Sequence, residues 1–298
     1  GSTTSGAGLA QLFSFTVQAN QTFVVVVSES NQNGAIGVSY NLRLTGLPPT
    51  AVPANVAPVN AVPGAQNVLE DNSLVFSGAG SNPLSVADDD AGNNPVEVTL
   101  SATNGAVTLG GTSGLSFTSG DGASDATMTF TGTVANINNA LNGLSYSPAA
   151  DFNGAGLLTI TTNDKGNTGT GGAKTDTDAV AINVTAVNDQ PSFTAGANQT
   201  VAEDASGQTV PNWATSIKAG PADEAGQVLG FTVGNNNNAL FSAQPAIAPN
   251  GTLTYTPAAN ANGSATVTVV LKDDGGTANG GVDATSPVTF TINVTAVN

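Results

Sequence analysis

An all-β chain of tandem Greek-key β-sandwiches placed end to end is the fold class this sequence predicts, on three observations. One phrase is written twice: LSYSPAADFNGAGLLTITTNDKGN running on to INVTAVNDQP, then LTYTPAANANGSATVTVVLKDDGG running on to INVTAVN. Tyr146 and Tyr255, Pro148 and Pro257, Asn153 and Asn262, and Asp164 and Asp273 keep one constant offset. That offset is far longer than a solenoid turn and fits a whole small domain. Val, Thr and Ile also alternate with small or polar residues over most of the chain, which is the period of half-buried strands. Gly, Asn, Asp and Pro punctuate these runs, supplying the backbone angles that turns require.

Taken in chain order, FSFTVQ, FVVVVS and YNLRL give strands at about Leu12 to Val17, Phe23 to Ser28 and Tyr40 to Leu44. The stretch Leu47 to Gly64 carries five prolines and almost no core pattern, so it reads as an extended linker into a first strand. VEVTLSAT, ATMTFTG, LLTITTN and AVAINVTAV follow as strands. Val134, Ile137 and Leu141 share one face of a short helix or helical turn at Val134 to Leu141. A second join, AVNDQP, lies at Ala186 to Pro191, and ATVTVVLKD and VTFTINVTAV close the chain. The predicted division is therefore 1–47, 48–187 and 188–298. Each of the two repeats is expected to have its chain ends at opposite poles, because the short join leaves little slack for packing flank to flank. The phrase AVN at the end stops just before its Asp, which suggests a natural protein that continues, and a start without Met reads as a processed product or a fragment.

Composition narrows the function classes. Among 298 residues there is no Cys and no His, and five basic residues (Arg43, Lys165, Lys174, Lys218, Lys272) face 21 acidic ones. Phosphate recognition needs clustered Lys and Arg, so nucleic acid and anionic membrane surfaces are disfavoured as partners. No apolar run approaches a membrane span. Without His or Cys, Ser-His-Asp and Cys-His catalysis and His-rich zinc sites are excluded, and the acidic groups recur with the repeats rather than forming one unpaired cleft. The chain is expected not to be an enzyme. Lys-to-Asn isopeptide bonding through Lys165 or Lys272 is a minor alternative.

From about Val59 onward the phrases APVNAVPGAQNVLEDNSLVFS, GGTSGLSFTSGDGASDATMTFTGTVANINNALNGLSYSPAADFNG, the TYTP-type block and AVNDQP resemble bacterial cadherin-like and immunoglobulin-like repeats of large surface adhesins. FSFTVQANQTFVVVVSESN with YNLRLTGL resembles the closing half of a prepeptidase C-terminal-like β-sandwich, its opening half missing. The resemblance implies an extracellular or cell-surface rod stiffened by Ca²⁺ at the domain joins. The first join, PVNAVPG, departs from AVNDQP by lacking its Asp.

Acidic residues recur at matching places. Glu70 with Asp71 and Glu203 with Asp204 open the two repeats, Asp88 to Asp90 and Asp223 with Glu224 follow each, and Asp164 and Asp273 come later. Calcium takes six to eight hard oxygens, and crowded carboxylates without a cation repel one another. Similarity to cadherin joins implies one site from Glu70, Asp71 and Asp164 at the lower end of the first repeat, Asn188 and Asp189 of the linker, and Asp223 and Glu224 at the top of the second. Glu203, Asp204 and Asp273, with Asp274, would then face a following repeat, and Asn60 would stand for the missing linker Asp at the first join. The plainer reading is that these are solvated turn residues. Asp176 and Asp178 either tip a hairpin or add a ligand, and Trp213, the sole Trp, could stack on a sugar if exposed, although a lone Trp in a β-domain is more often core or join packing.

Two functions remain in view. One is a calcium-stiffened rod segment of a surface adhesin, with neighbouring repeats as partners and a cell-surface or carbohydrate ligand reached through another region. The other is a subunit of a self-assembling extracellular filament, residues 1–47 accepting or donating a strand.

Overall fold

Alternating small polar and β-branched residues build strands whose apolar sides face inward, and the described part of the chain is made of such strands. The structure is a computed structural model that describes residues 52–298. The expected three strands of residues 1–47, their prepeptidase-like character and their completion by another chain lie outside the described residues.

The first sandwich holds β1 (Val59–Ala61), β2 (Gln66–Leu69), β3 (Leu74–Phe76), β4 (Ser85–Ala87), β5 (Val96–Thr103), β6 (Gly105–Thr108), β7 (Ser116–Ser119), β8 (Thr127–Gly132), α1 (Val134–Leu141), β9 (Leu144–Pro148), β10 (Gly154–Asn163) and β11 (Thr175–Thr185). Its larger sheet runs β2-β11-β10-β5-β8-β7 and its smaller one β3-β9-β6, with β1 and β4 paired beside them. β2 joins β11 in parallel, whereas β5, β10 and β11 are mutually antiparallel in that order. The inward side of β5 is buried at every second residue. Between the sheets, Phe76, Val107 and Tyr146 meet Leu100, Met128, Phe130, Leu158, Ile160 and Ile182 in one core.

The second sandwich holds β12 (Ser192–Thr194), β13 (Gln199–Ala202), β14 (Gln208–Val210), β15 (Thr215–Lys218), β16 (Gly230–Asn235), β17 (Phe241–Ile247), β18 (Leu253–Pro257), β19 (Gly263–Lys272) and β20 (Val288–Thr295). Its sheets run β13-β20-β19-β16 and β14-β18-β17, with β12 paired to β15. β13 joins β20 in parallel, as β2 joins β11. A separate core gathers Trp213, Leu253 and Tyr255 against Val267, Val269, Phe290 and Ile292. Trp213 is buried, its ring 4.2 Å from that of Phe290 and its Nε1–H donating to the Ala197 carbonyl at 3.0 Å, so it is a core residue.

The two sandwiches share strand order except for one insertion. In the first, β7, β8 and α1 extend the sheet past β5; in the second, β16 is the edge. The helix spans the residues whose spacing predicts it, capped by the Thr133 hydroxyl and burying Ile137, Ala140 and Leu141. Its Asn138 amide bonds both the N–H and the C=O of Val86, so the helix completes the edge of β4.

Candidate metal centre at the middle join

The join Ala186 to Pro191 leaves β11 and enters β12, and two tight turns of the first sandwich bring oxygen donors to it. Asp71 and Asp151 both hold left-handed backbone angles, φ 62° and 56°, which a short polar side chain tolerates better than a branched one. Their turns close on Asn72 N–H to the Leu69 carbonyl and Phe152 N–H to the Ala149 carbonyl. The carboxylate oxygens of Asp71, Asp151 and Asp189 lie within 4.8 Å of one another. Glu70, 2% exposed, accepts the Val187 N–H on one oxygen and the Asn153 amide at 3.4 Å on the other.

The second sandwich supplies the facing side. Glu224 sits in a 3-10 turn, Ala222–Glu224, and accepts the Asp189 N–H at 2.8 Å. Asn188 donates its amide to Asp273 at 3.1 Å and to the Val282 carbonyl at 2.9 Å, and accepts from Gln227 at 2.7 Å. Asn153 of the first sandwich donates to Asp223 of the second at 2.6 Å. A Cβ on Gly275 would collide with Asn188 Oδ1, and one on Gly220 with the Glu224 carboxylate, so both positions need glycine for room. A cleft of about 510 Å³ opens here, lined by Asn153, Val187, Asn188, Asp223, Glu224 and Gln227 among others.

The charges are left uncompensated by the protein. Burial raises the Asp189 pKa, and the carboxylates of Asp71, Asp151, Glu70 and Asp223 raise it further. Burial likewise raises that of Glu224, with Asp189, Asp223 and Asp273 acting in the same direction against the single N–H of Asp189. Glu224 Oε2 and Asp273 Oδ2 are buried without a hydrogen-bond partner. Among the described residues the two ion pairs are Lys165 with Glu97 and Lys272 with Asp283, and neither reaches these carboxylates. An all-oxygen donor set with orphaned buried oxygens fits Ca²⁺.

Three of the expected assignments are corrected. Asp164 does not join Glu70. It follows β10 at the upstream pole of the first sandwich, while Glu70 lies at the downstream pole, where its N–H meets the Thr185 carbonyl. The 11 residues of β11 separate the two poles, and at about 3.3 Å for each step from one residue to the next the strand spans roughly 33 Å. There Asp164 accepts from the Asn55 amide at 2.7 Å and from the N–H groups of Gly166 and Lys174, each at 2.8 Å. Burial alone would raise its pKa, but these donors outweigh it and the pKa is lowered. Asp273 is the matching residue of the second sandwich, so it faces the middle join and not a following repeat. Asp274 lies beside it, accepting the Val228 N–H at 2.8 Å. Asn60 is no linker substitute either: it pairs within β1 and β4, takes the Thr162 hydroxyl at 2.6 Å, and donates its backbone N–H to Asp176.

Glu203 and Asp204 occupy the downstream pole of the second sandwich. Glu203 accepts from Asn262 and from the Val297 N–H, each at 3.0 Å, and these two donors lower its pKa; Asp204 accepts the Asn260 N–H at 2.9 Å. Asp151 and Asn153 also belong to the middle join, although recurrence of acidic residues alone does not single them out. Their signal was there: Asn153 and Asp164 flank one ten-residue strand, which puts them at opposite poles, and Asn153 matches Asn262 beside Glu203.

Residues 188–293 match the family model of the bacterial Ig domain. The second sandwich is therefore similar to a bacterial Ig domain. The first Ig-like sandwich repeats its strand order. No curated protein matches the chain. Among solved structures, two repeats of human protocadherin-24 align at 16% identity over 81% of this chain and 100% of that one, TM-score 0.44. Three repeats of mouse cadherin-23 align at 15% identity over 81% and 67%, TM-score 0.41. Four repeats of Drosophila N-cadherin align at 16% identity over 82% and 50%, TM-score 0.37.

Proposed function

We propose that this chain is a non-enzymatic segment of an extracellular adhesive protein, a rod of Ig-like repeats with units at 48–187 and 188–298, stiffened by Ca²⁺ at the middle join. Glu70, Asp71, Asp151, Asn153, Asp189, Asp223, Glu224 and Asp273 are the residues that would hold the metal, and a cation there would supply the positive charge the protein lacks. The observation that carries this reading is the pair of buried, unpartnered oxygens on Glu224 and Asp273, which stand among the carboxylates of Asp189 and Asp223 without a basic partner. The match of residues 188–293 to the bacterial Ig domain supports the placement outside the cell. No helix among the described residues is long and apolar enough to cross a membrane.

Calorimetry with Ca²⁺ and with chelator, on the native chain and on Asp189→Ala, tests it. Anything that binds the folded form alone raises its stability, so Ca²⁺ is expected to raise the Tm of the native chain and to raise that of the variant much less. Four identical melting curves would return these carboxylates to the rank of solvated turns.

A further inference from the structure

The upstream pole of the first sandwich has a lysine where the middle join has an acid. The prolines of Val52 to Pro58 read as linker, but residues 53–56 are bonded as a strap along the loop between β10 and β11. Thr170 donates its N–H to the Pro53 carbonyl at 2.8 Å and Asn55 donates its own to the Thr170 carbonyl at 2.9 Å, so that Ala54 and Thr170 form a parallel bridge. The strap passes so close that a Cβ on Gly169, whose φ is +85°, would come within 2.5 Å of the Asn55 nitrogen. The Asn55 amide donates to Asp164 at 2.7 Å and to the Gly172 carbonyl at 2.8 Å, and the Val56 N–H goes to Asp90 Oδ2 at 2.9 Å. Lys174 closes the strap, its ammonium donating to the Asn55 carbonyl at 2.6 Å.

The middle join uses the same scaffold without this lysine. Asn188 matches Asn55, since each gives its amide to the aspartate after the long central strand. Lys174 and Asp283 keep the offset of Asp164 and Asp273, and each gives its carbonyl to the N–H of that aspartate at 3.1 Å. A base therefore stands at one pole in the place of an acid at the other. The Asn188 carbonyl accepts only the neutral Val282 N–H, at 2.9 Å, and Asp283 pairs with Lys272. The two aspartates differ accordingly. Asp164 has both oxygens occupied, Oδ1 by the N–H groups of Gly166 and Lys174 and Oδ2 by Asn55, whereas Asp273 Oδ2 is buried and unpartnered. Burial would raise the Asp164 pKa, but those donors and the charge of Lys174 together lower it. The charges that act on Asp189 and Glu224 are all carboxylates.

We propose that the Lys174 ammonium is a built-in counter-charge that fastens residues 53–56 to the first sandwich, so that this attachment holds without a divalent cation. An ammonium on a flexible stem can reach a carbonyl that no backbone donor meets, and its charge makes that hydrogen bond about twice as strong as a neutral one. The chain then carries one permanent attachment and one that metal tightens. The strap stands on its own residues, and only the contrast rests on the reading of the middle join. Withdrawal of the cation loosens Ala186 to Pro191 and leaves the strap in place.

Amide hydrogen exchange of the whole chain, read by mass spectrometry in Ca²⁺ and in chelator, tests this. In the native chain the amides of Asn55, Val56 and Thr170 should be equally protected in both conditions, while those of Val187 and Asp189 lose protection in chelator. Lys174→Met keeps an apolar stem and removes the charge. It should speed exchange at Asn55, Val56 and Thr170 by about tenfold or more in both conditions, as the loss of a hydrogen bond from a charged group implies, and leave Val187 and Asp189 unaltered. Lys174→Arg, which keeps the charge, should retain most of the protection. Exchange over β5 and β10 shows whether each variant is folded, and Lys174→Gln replaces Lys174→Met if that variant is not. Strap protection that depends on Ca²⁺ in the native chain, or that survives loss of the lysine charge, overturns the proposal. Exchange in Lys174→Arg as fast as in Lys174→Met assigns the effect to packing and overturns it too. Equal exchange at Val187 and Asp189 in the two conditions overturns the middle join alone.

Discussion

Tyr146 anchors the first sandwich by more than its ring. Its hydroxyl donates toward the carbonyls of Thr103 and Asn104, at 3.0 and 3.2 Å, at the corner between β5 and β6. Close approach of that ring leaves no space for a side chain at Gly105 or Gly156. Tyr146→Phe is expected to cost about 1 kcal/mol in denaturant unfolding, the net worth of such a bond, because the ring packing survives. Burial raises the pKa of both Tyr146 and Tyr255 above 10.0. A raised folded value means that the unfolded chain ionises first, so this stability is complete below pH 10 and is lost as pH climbs through the folded values. Tyrosinate absorbance of these two residues should therefore rise together with loss of far-ultraviolet strand signal above pH 10. Ionisation well before unfolding would show the hydroxyls to be solvated.

Helix α1 and the turn glycines show how single elements serve the poles and edges. Asn138 on α1 satisfies both backbone groups of buried Val86 on β4, and Asn138→Ala leaves a buried donor and acceptor unpaired. That substitution should cost roughly 1–3 kcal/mol, read from the urea midpoint. Gly275 follows Asp273 in the turn after β19, its N–H donating to Asp273 at 3.0 Å. Gly275→Ala is expected to push Asn188 from Asp273 and weaken Ca²⁺ binding at the middle join several-fold, with little change in the melting temperature of the metal-free chain. Equal Ca²⁺ affinity in the two proteins would mean that Asn188 has no part in shaping the site.

Across the whole molecule the join works as a charge-loaded connection. Carboxylates from both sandwiches and from the linker crowd one place, and Asn153 to Asp223 is a direct bond from one sandwich to the other. Without a cation the mutual repulsion should loosen Ala186 to Pro191, and with one the same groups become ligands. Limited digestion with a broad-specificity protease should cut within that segment in chelator and spare it in Ca²⁺. Cleavage at the same rate in both conditions would sever the link between metal and stiffness.

By itself the sequence determined the all-β class, the repeat, helix α1 and the residue types of the site, because these follow from local periodicity and from recurrence at a fixed spacing. Val134, Ile137 and Leu141 declare their helix face, and LLTITTN declares a strand, without knowledge of anything distant. Which acidic residues meet was decided by tertiary structure alone. A strand of ten residues carries Asn153 and Asp164 to opposite poles, and pairing of β2 with β11 in parallel sets Glu70 beside Val187, more than a hundred positions away in the chain. Spacing along the sequence says how often a carboxylate recurs. Only the direction and length of the strands between them says at which end of the sandwich it arrives, and so whether its charge has a neighbour.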